Sequence, residues 1–309
     1  MLIAITGATG FVGSYTVRSL KARGHHVRAL VRRTSRREHI APFVDEWTVG
    51  EVEDQQAQAG LVAGVDGVIH AAVDFAASDM PSVHFRRNVL SSLDLLEAAR
   101  KAEVGQFIFV SSGAAYAQIL RDRKLDENHP TWPDSLYGAY KAAVEPFLKA
   151  YHAQFGMNTS SWRPVAVYGV APVVCQSHWI ELVEAVKAGK AVSTPAGGKI
   201  VHVEDVAFAL AAAAGDETVA GQFYNLVDCH MYWQVAAELA KQITGSSSII
   251  EDRKGSGPKN TYDTAAAVAF FDRHGNTIGL RRGLEGVRQY VAQLIQAEEV
   301  GSPLAAPRV

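Results

Sequence analysis

At 309 residues the chain suits one large or two modest domains. Hydrophobic residues make up 48% and charged residues 20%, enough for a sizeable core and too apolar for a disordered chain. With 30 Lys+Arg against 32 Asp+Glu, the net charge of -2 gives no global field to attract nucleic acid or an anionic membrane.

The first ten residues, MLIAITGATG, carry no basic leader and open a strand at Leu2–Thr6. Further β-rich apolar runs follow at His26–Val31, Trp47–Val49, Gly67–His70, Phe107–Ser111 and Asn158–Arg163. Amphipathic segments at Thr16–Arg23, Asp54–Val62, Val89–Ala102 and Ser135–Gln154 separate them. Continuous apolar strands alternating with single helices predict a parallel sheet covered on both faces. Right-handed crossovers make that a doubly wound α/β architecture.

After Arg163 the rhythm changes. The longest uncharged stretch, about Pro164 to Ile180, is broken by Pro, Gly, Gln, Ser and His, which excludes a spanning helix. Cys175 and Cys229 are the only cysteines, without metal-ligand spacing and too few for a disulfide framework. A helix is expected near His178–Ala188, a strand and helix at Ile200–Ala214, and a strand at Gln222–Leu226. Helices near Gln234–Ile243, Thr264–Phe271 and Leu284–Ala297 complete a smaller lobe, and the SPLAAPRV tail is expected to fray.

Two signals carry chemistry. The run Thr6-Gly7-Ala8-Thr9-Gly10-Phe11-Val12-Gly13 follows a strand and opens a helix. Gly7 permits a tight turn, Gly10 a close backbone approach to a pyrophosphate, and Gly13 close helix–strand packing, so dinucleotide phosphates can meet free N–H groups. The second is Tyr137-Gly138-Ala139-Tyr140-Lys141: of the ten tyrosines, Tyr137 alone has Lys four positions on, which puts phenol and ammonium on one helix face. An ammonium about 5 Å away, at an effective dielectric of about 20, contributes roughly 3 kcal/mol. That predicts a phenol pKa lowered by about 2 from its usual value near 10.

The G-x-x-G-x-x-G spacing, with Val68-Ile69-His70-Ala71-Ala72, Phe107-Ile108-Phe109-Val110-Ser111-Ser112, Arg163-Pro164, Tyr168-Gly169 and Val201-His202-Val203-Glu204-Asp205-Val206, resembles the extended short-chain dehydrogenase/reductase family of epimerases, dehydratases and reductases. The resemblance implies a Rossmann domain over residues 1–165, rejoined by 200–228, and a substrate-binding lobe from 166–199 and 229–309. It gives Ser112 the orienting of a substrate oxygen, Tyr137 the proton transfer and Lys141 the nicotinamide ribose, with Asn88 buttressing the site or capping a helix. It places Gly7, Thr9, Gly10, Phe11, Val12 and Gly13 at the pyrophosphate and Arg32 and Arg33 at the adenosine ribose. Glu51 and Val52 then fall near the adenine, with Ala71, Ala72, Pro164 and Val167 along the rest of the cofactor groove. Ser111, Tyr116 and Tyr140 are expected to turn or pack, His70 and His202 to need no ligand, and His178 to be a possible substrate contact. The family's homodimers pair the helix carrying Tyr137 with the one beginning at Asn88, so a cytoplasmic homodimer acting on a small molecule is implied.

Departures from the family narrow the chemistry. Gly113, Ala114 and Ala115 follow Ser112 where dehydratases carry acids, and Ala166 stands where a pyrophosphate-binding Asn is usual. The stretches Gly197-Gly198-Lys199-Ile200 and Gly255-Ser256-Gly257-Pro258-Lys259 offer lysines, point charges without a guanidinium fork, where the family uses Arg. After the second strand comes Arg32-Arg33-Thr34-Ser35-Arg36-Arg37, with no acid until Glu38, where NAD-preferring relatives put Asp. That run is either a 2′-phosphate site or a solvated basic turn. The leading expectation is hydride transfer between NADP(H) and a carbonyl or secondary alcohol, with NAD as the alternative cofactor. A sugar epimerase with tightly held NAD uses the same residues; a non-catalytic dinucleotide sensor would not need the Tyr137–Lys141 pair.

Overall fold

Alternation along the first strand sets the two faces of the sheet. In β1 (Leu2–Thr6), Ile3 and Ile5 pack into one buried apolar cluster and Ala4 into another, as the two-residue repeat of a strand requires. The computed structural model describes residues 1–75, 80–120, 122–251 and 260–300. The chain continues through α1 (Phe11–Ala22), β2 (His26–Val31), β3 (Glu46–Val49), α2 (Gln55–Val62) and β4 (Gly67–His70). A short helix α3 (Pro81–His84) passes through a π-helical turn, Phe85–Leu90, into α4 (Ser91–Lys101). Next come β5 (Gln106–Val110), α5 (Leu136–Phe155), β6 (Asn158–Pro164), β7 (Ala166–Tyr168), α6 (Ile180–Lys187) and β8 (Val192–Ser193). The last elements are β9 (Gly197–His202), α7 (Val203–Ala213), β10 (Phe223–Leu226), β11 (Cys229–Tyr232), α8 (Trp233–Thr244), β12 (Ile250–Glu251), α9 (Ala265–Arg273) and α10 (Gly283–Val300).

Seven parallel strands form the main sheet in the order β10-β6-β5-β4-β1-β2-β3. This is the doubly wound Rossmann order with one strand added, as the sequence predicts. Ile3, Ile5, Val17, Ile108 and Leu210 fill one face, and Ala4, Leu61, Leu95, Phe107 and Val144 the other. Connections reverse between β1 and β4, so a crevice opens at their carboxyl ends, beside Gly7 and Ala71.

Three local expectations are corrected. Helix α1 starts at Phe11, not Thr16, directly after the glycine turn. Asn88 lies inside the π-helical turn, because helix begins upstream at Pro81, so it does not start or cap a helix. The strand near Ile200 does not rejoin the main sheet: β9 pairs with β7 and β11 in a separate three-stranded sheet. The free edge of β6 is taken by β10, with Phe223 opposite Ser161, and α7 packs on α1. A third apolar cluster, including Tyr168, Val183, Ile200, Leu239 and Tyr290, joins the small sheet to α6, α8 and α10. Among the described residues no helix is long and apolar enough to cross a membrane, and no cluster suits a metal ion.

Candidate active site

The glycine turn is built as an anion cradle. Gly7 has φ +72°, and a side chain at Gly13 would place its Cβ 2.0 Å from the Gly7 carbonyl oxygen. The first helical bond of α1 runs from Ser14 N–H to the Gly10 carbonyl at 2.9 Å. Gly10 N–H donates to the Gly7 carbonyl at 3.0 Å, but no side chain caps α1 at Gly10 and its first turn holds no acid, so the N–H groups of Phe11, Val12 and Gly13 are left for a phosphate. Thr9 turns its carbonyl to His39 Nε2 at 3.2 Å, while Phe11 packs edge-on to Tyr15 and Val12 sits on the core. Arg32 and Arg33 are exposed just beyond β2, and among the described residues no carboxylate pairs with either. Glu51 is exposed and Val52 packs against the second core. Pro164 ends β6 opposite Leu226, and Val167 pairs with Val201. These residues fit a dinucleotide.

A closed ring of hydrogen bonds holds the far wall of that cradle. Ser92 donates its one hydroxyl proton to the Asn88 carbonyl at 2.5 Å. His70 Nε2, 2.8 Å from Ser92 Oγ, must therefore be the N–H, which leaves Nδ1 to accept from the Thr6 hydroxyl at 2.6 Å. Thr6 Oγ1 accepts in turn from Ala72 N–H at 3.2 Å, and the Tyr140 hydroxyl lies 3.2 Å from Ser92 Oγ and 3.4 Å from the Ala72 carbonyl. Ala71 N–H donates to the Thr6 carbonyl at 3.3 Å, so Ala71 and Ala72 are pinned against Gly7. Asn88 clamps the next loop from both sides, accepting from Asp74 N–H at 2.8 Å and donating to its carbonyl at 3.1 Å. It touches backbone, not the cleft.

Burial, with the Lys141 charge adding, pushes His70 down to about 3, so the ring requires it neutral. An unfolded histidine takes its proton near pH 6.5 and the native one only near 3, so the unfolded state binds more protons in between. Stability should fall as pH drops from about 6.5 towards 3. Denaturant midpoints across that window should show the loss, with a shallower slope in His70→Gln; identical slopes would contradict a buried neutral His70.

Ser112, Tyr137 and Lys141 come together at the carboxyl end of β5. Ser112 caps a single turn, Gly113–Ala115, accepting from Ala114 N–H at 3.1 Å, and lines one cleft with Tyr137. Ser135 caps α5 and places Tyr137 in its first turn. A Cβ at Gly138 would come 2.3 Å from the Ala114 carbonyl oxygen, so glycine there lets α5 close on the Ser112 turn. One turn on, Lys141 is 2% exposed, donates to the Val110 carbonyl at 2.7 Å, and lies 5.8 Å from the Tyr137 ring centre.

The expected acidification of Tyr137 is overturned. Burial raises its pKa, and the neighbouring Ser112 side chain opposes that only in part. Lys141 does not reverse the shift: burial pushes its own pKa down to about 7 despite the Glu145 charge, so it is only partly charged near neutral pH.

Ser112 and Tyr137 open on a cleft of about 550 Å³ that Lys141 does not line. Phe75 lies against the Tyr137 ring, 5.3 Å between centroids, and Tyr116, Tyr262, Val165 and Ile119 form further apolar and aromatic lining. Lys199 and Asn260 add polar groups to Ser112 and the tyrosine hydroxyls among the described lining residues. Tyr116, expected only to pack, thus lines the cleft. Its hydroxyl is gripped by Arg163, which is itself buried against Glu145 through two bonds of 2.7 Å. His178 faces Trp179 and Trp233 instead and does not line the cleft. Ser111 is buried, and His202 Nδ1 accepts from Glu204 N–H at the start of α7. The expected Gly255–Lys259 turn lies outside the described residues. Sequence reasoning missed Phe75, Ile119, Asn260 and Tyr262, which sit in loops without a motif.

The sequence model of the NAD dependent epimerase/dehydratase family matches residues 3–226. The chain belongs to that family. Among its curated relatives, a putative dihydroflavonol 4-reductase of Synechocystis sp. is 35% identical over 175 residues, 54% of this chain and 50% of that protein. A UDP-glucose 4-epimerase of Corynebacterium glutamicum is 26% identical over 304 residues, 90% of each. The crystal structure of a Thermus thermophilus UDP-glucose 4-epimerase in complex with NAD superposes with TM-score 0.75 at 24% identity, covering 96% of this chain and 100% of that one, a likeness of fold. Family members thus include reductases and epimerases.

Proposed function

We propose that the protein is an NAD(P)-dependent oxidoreductase that reduces a carbonyl on a compact, largely apolar body, with Tyr137 as the proton donor. The observation that carries this reading is the cleft itself: a half-buried phenol held protonated, beside Ser112, within apolar and aromatic walls and with no carboxylate among the described lining residues. When bound, the nicotinamide supplies or takes a hydride. Ser112 orients the carbonyl oxygen and Tyr137 gives it a proton, while Lys141 holds the nicotinamide ribose. The turn after Ser112, Gly113-Ala114-Ala115, offers no carboxylate as a base for elimination. The relative named as a reductase supports this direction.

The end-to-end alignment with a UDP-glucose 4-epimerase favours a second reading, epimerisation with the same Ser112, Tyr137 and Lys141. Against it, an epimerase needs Tyr137 first as a base, and burial disfavours the phenolate. Cofactor stoichiometry separates the two: a reductase oxidises one reduced nicotinamide per product, whereas an epimerase shows no net turnover.

NADP(H) is the cofactor we propose, because Arg32, exposed and paired with no carboxylate among the described residues, stands where a ribose-binding acid would sit. A guanidinium–phosphate contact contributes about 1.5–3 kcal/mol, or roughly ten- to a hundredfold in affinity. NADP(H) should bind at least about tenfold tighter than NAD(H), and Arg32→Ala should shrink that ratio while sparing NAD(H). Equal wild-type affinities by calorimetry would defeat the assignment.

A further inference from the structure

Besides Ser112 and Tyr137 the cleft is lined by a cation that hydride and proton transfer do not use. Lys199, on β9, donates its ammonium to the Asn260 carbonyl oxygen and lies 5.1 Å from the centre of the Tyr262 ring. Among the described residues lining the cleft it is the one cation, and none of them is a carboxylate. Burial lowers its pKa and no acid offsets that effect.

We propose that Lys199 and Asn260 form a carboxylate-binding subsite, so that the substrate is a carbonyl acid whose apolar body lies between Phe75 and the Tyr116–Tyr262 wall. An ammonium has three donors and Asn260 takes one, which leaves donors for an oxyanion. Asn260 spends its carbonyl on Lys199 and keeps its NH2 group as a second donor to the same ligand. A monoanion matches one point charge. A phosphate dianion calls for more cations or a helix N-terminus, and the described lining holds neither. The apolar walls suit the rest of the molecule, and the Tyr116–Tyr262 pair, 5.8 Å between centroids at 77°, presents an edge and a face to a planar group.

The proposal rests on the reductase reading for its carbonyl, but its test does not need turnover. Calorimetry on the full-length protein saturated with NADP+ would compare cinnamate, cinnamamide and phenyl phosphate. Cinnamate should bind at least about tenfold tighter than the amide. Lys199→Met should abolish that preference and Lys199→Arg should retain most of it. Equal binding of acid and amide, survival of the preference in Lys199→Met, or tighter binding of phenyl phosphate would overturn the subsite. A second arm measures NADPH oxidation with phenyl-substituted 3-oxo and 4-oxo acids and their methyl esters. No oxidation with any of them, alongside an intact acid preference, would sink the reductase reading and leave the subsite standing. Wild-type KM values should favour the acids by about the same factor, and Lys199→Met should raise KM for acids alone.

Discussion

Tyr137→Phe should lower turnover by about two orders of magnitude or more while cofactor affinity stays near wild type. The substitution keeps the ring that packs on Phe75 and deletes the hydroxyl that shares the cleft with Ser112. It removes the proton that neutralises the developing alkoxide and little else, so kcat and kcat/KM should fall together. The measurement is steady-state kinetics beside calorimetry with NADP(H). Wild-type rates in this variant would refute the mechanism. Parallel losses of cofactor affinity and turnover would instead point to damage of the groove that Lys141 serves.

Glu145→Ala should cost about 3–5 kcal/mol of stability, a large part of the roughly 5–15 kcal/mol that holds a domain folded. The side chains of Glu145 and Arg163 are each 3% exposed and joined by two charge-assisted bonds, with Ser161 donating a third to Glu145 at 2.8 Å. Arginine cannot shed its charge, so removing the carboxylate strands a guanidinium between α5 and β6. Denaturant midpoints at unchanged slope would report the loss, and a cost below about 1 kcal/mol would contradict it. The double change Glu145→Leu/Arg163→Met should recover much of it, because no unpaired charge is left behind. Arg163 also grips the Tyr116 hydroxyl, so the single variant should loosen the aromatic wall of the cleft.

Local pattern was enough for the sheet strands. Leu2–Thr6, His26–Val31 and Gly67–His70 occur with the bounds that their short β-rich runs predict. Helix starts were less legible. The glycines before Phe11 hide the first turn of α1, and the helix before Val89 has no capping side chain at Met80 or His84 to announce it. Ser112, Tyr137 and Lys141 were legible because one strand end and one helix turn carry all three.

The sequence by itself determined the parallel α/β order, the glycine turn and the spacing that stacks Tyr137 over Lys141, since each depends on residues within a few positions of one another. Tertiary structure alone decided that β9 pairs with β7 and β11 in a separate sheet, that burial raises the Tyr137 pKa where the lysine was expected to lower it, and that Lys199, Asn260 and Tyr262 line the same cleft as Ser112. Edge pairing, desolvation and the lining of a cleft are set by groups far apart in the chain, and no local pattern records their meeting.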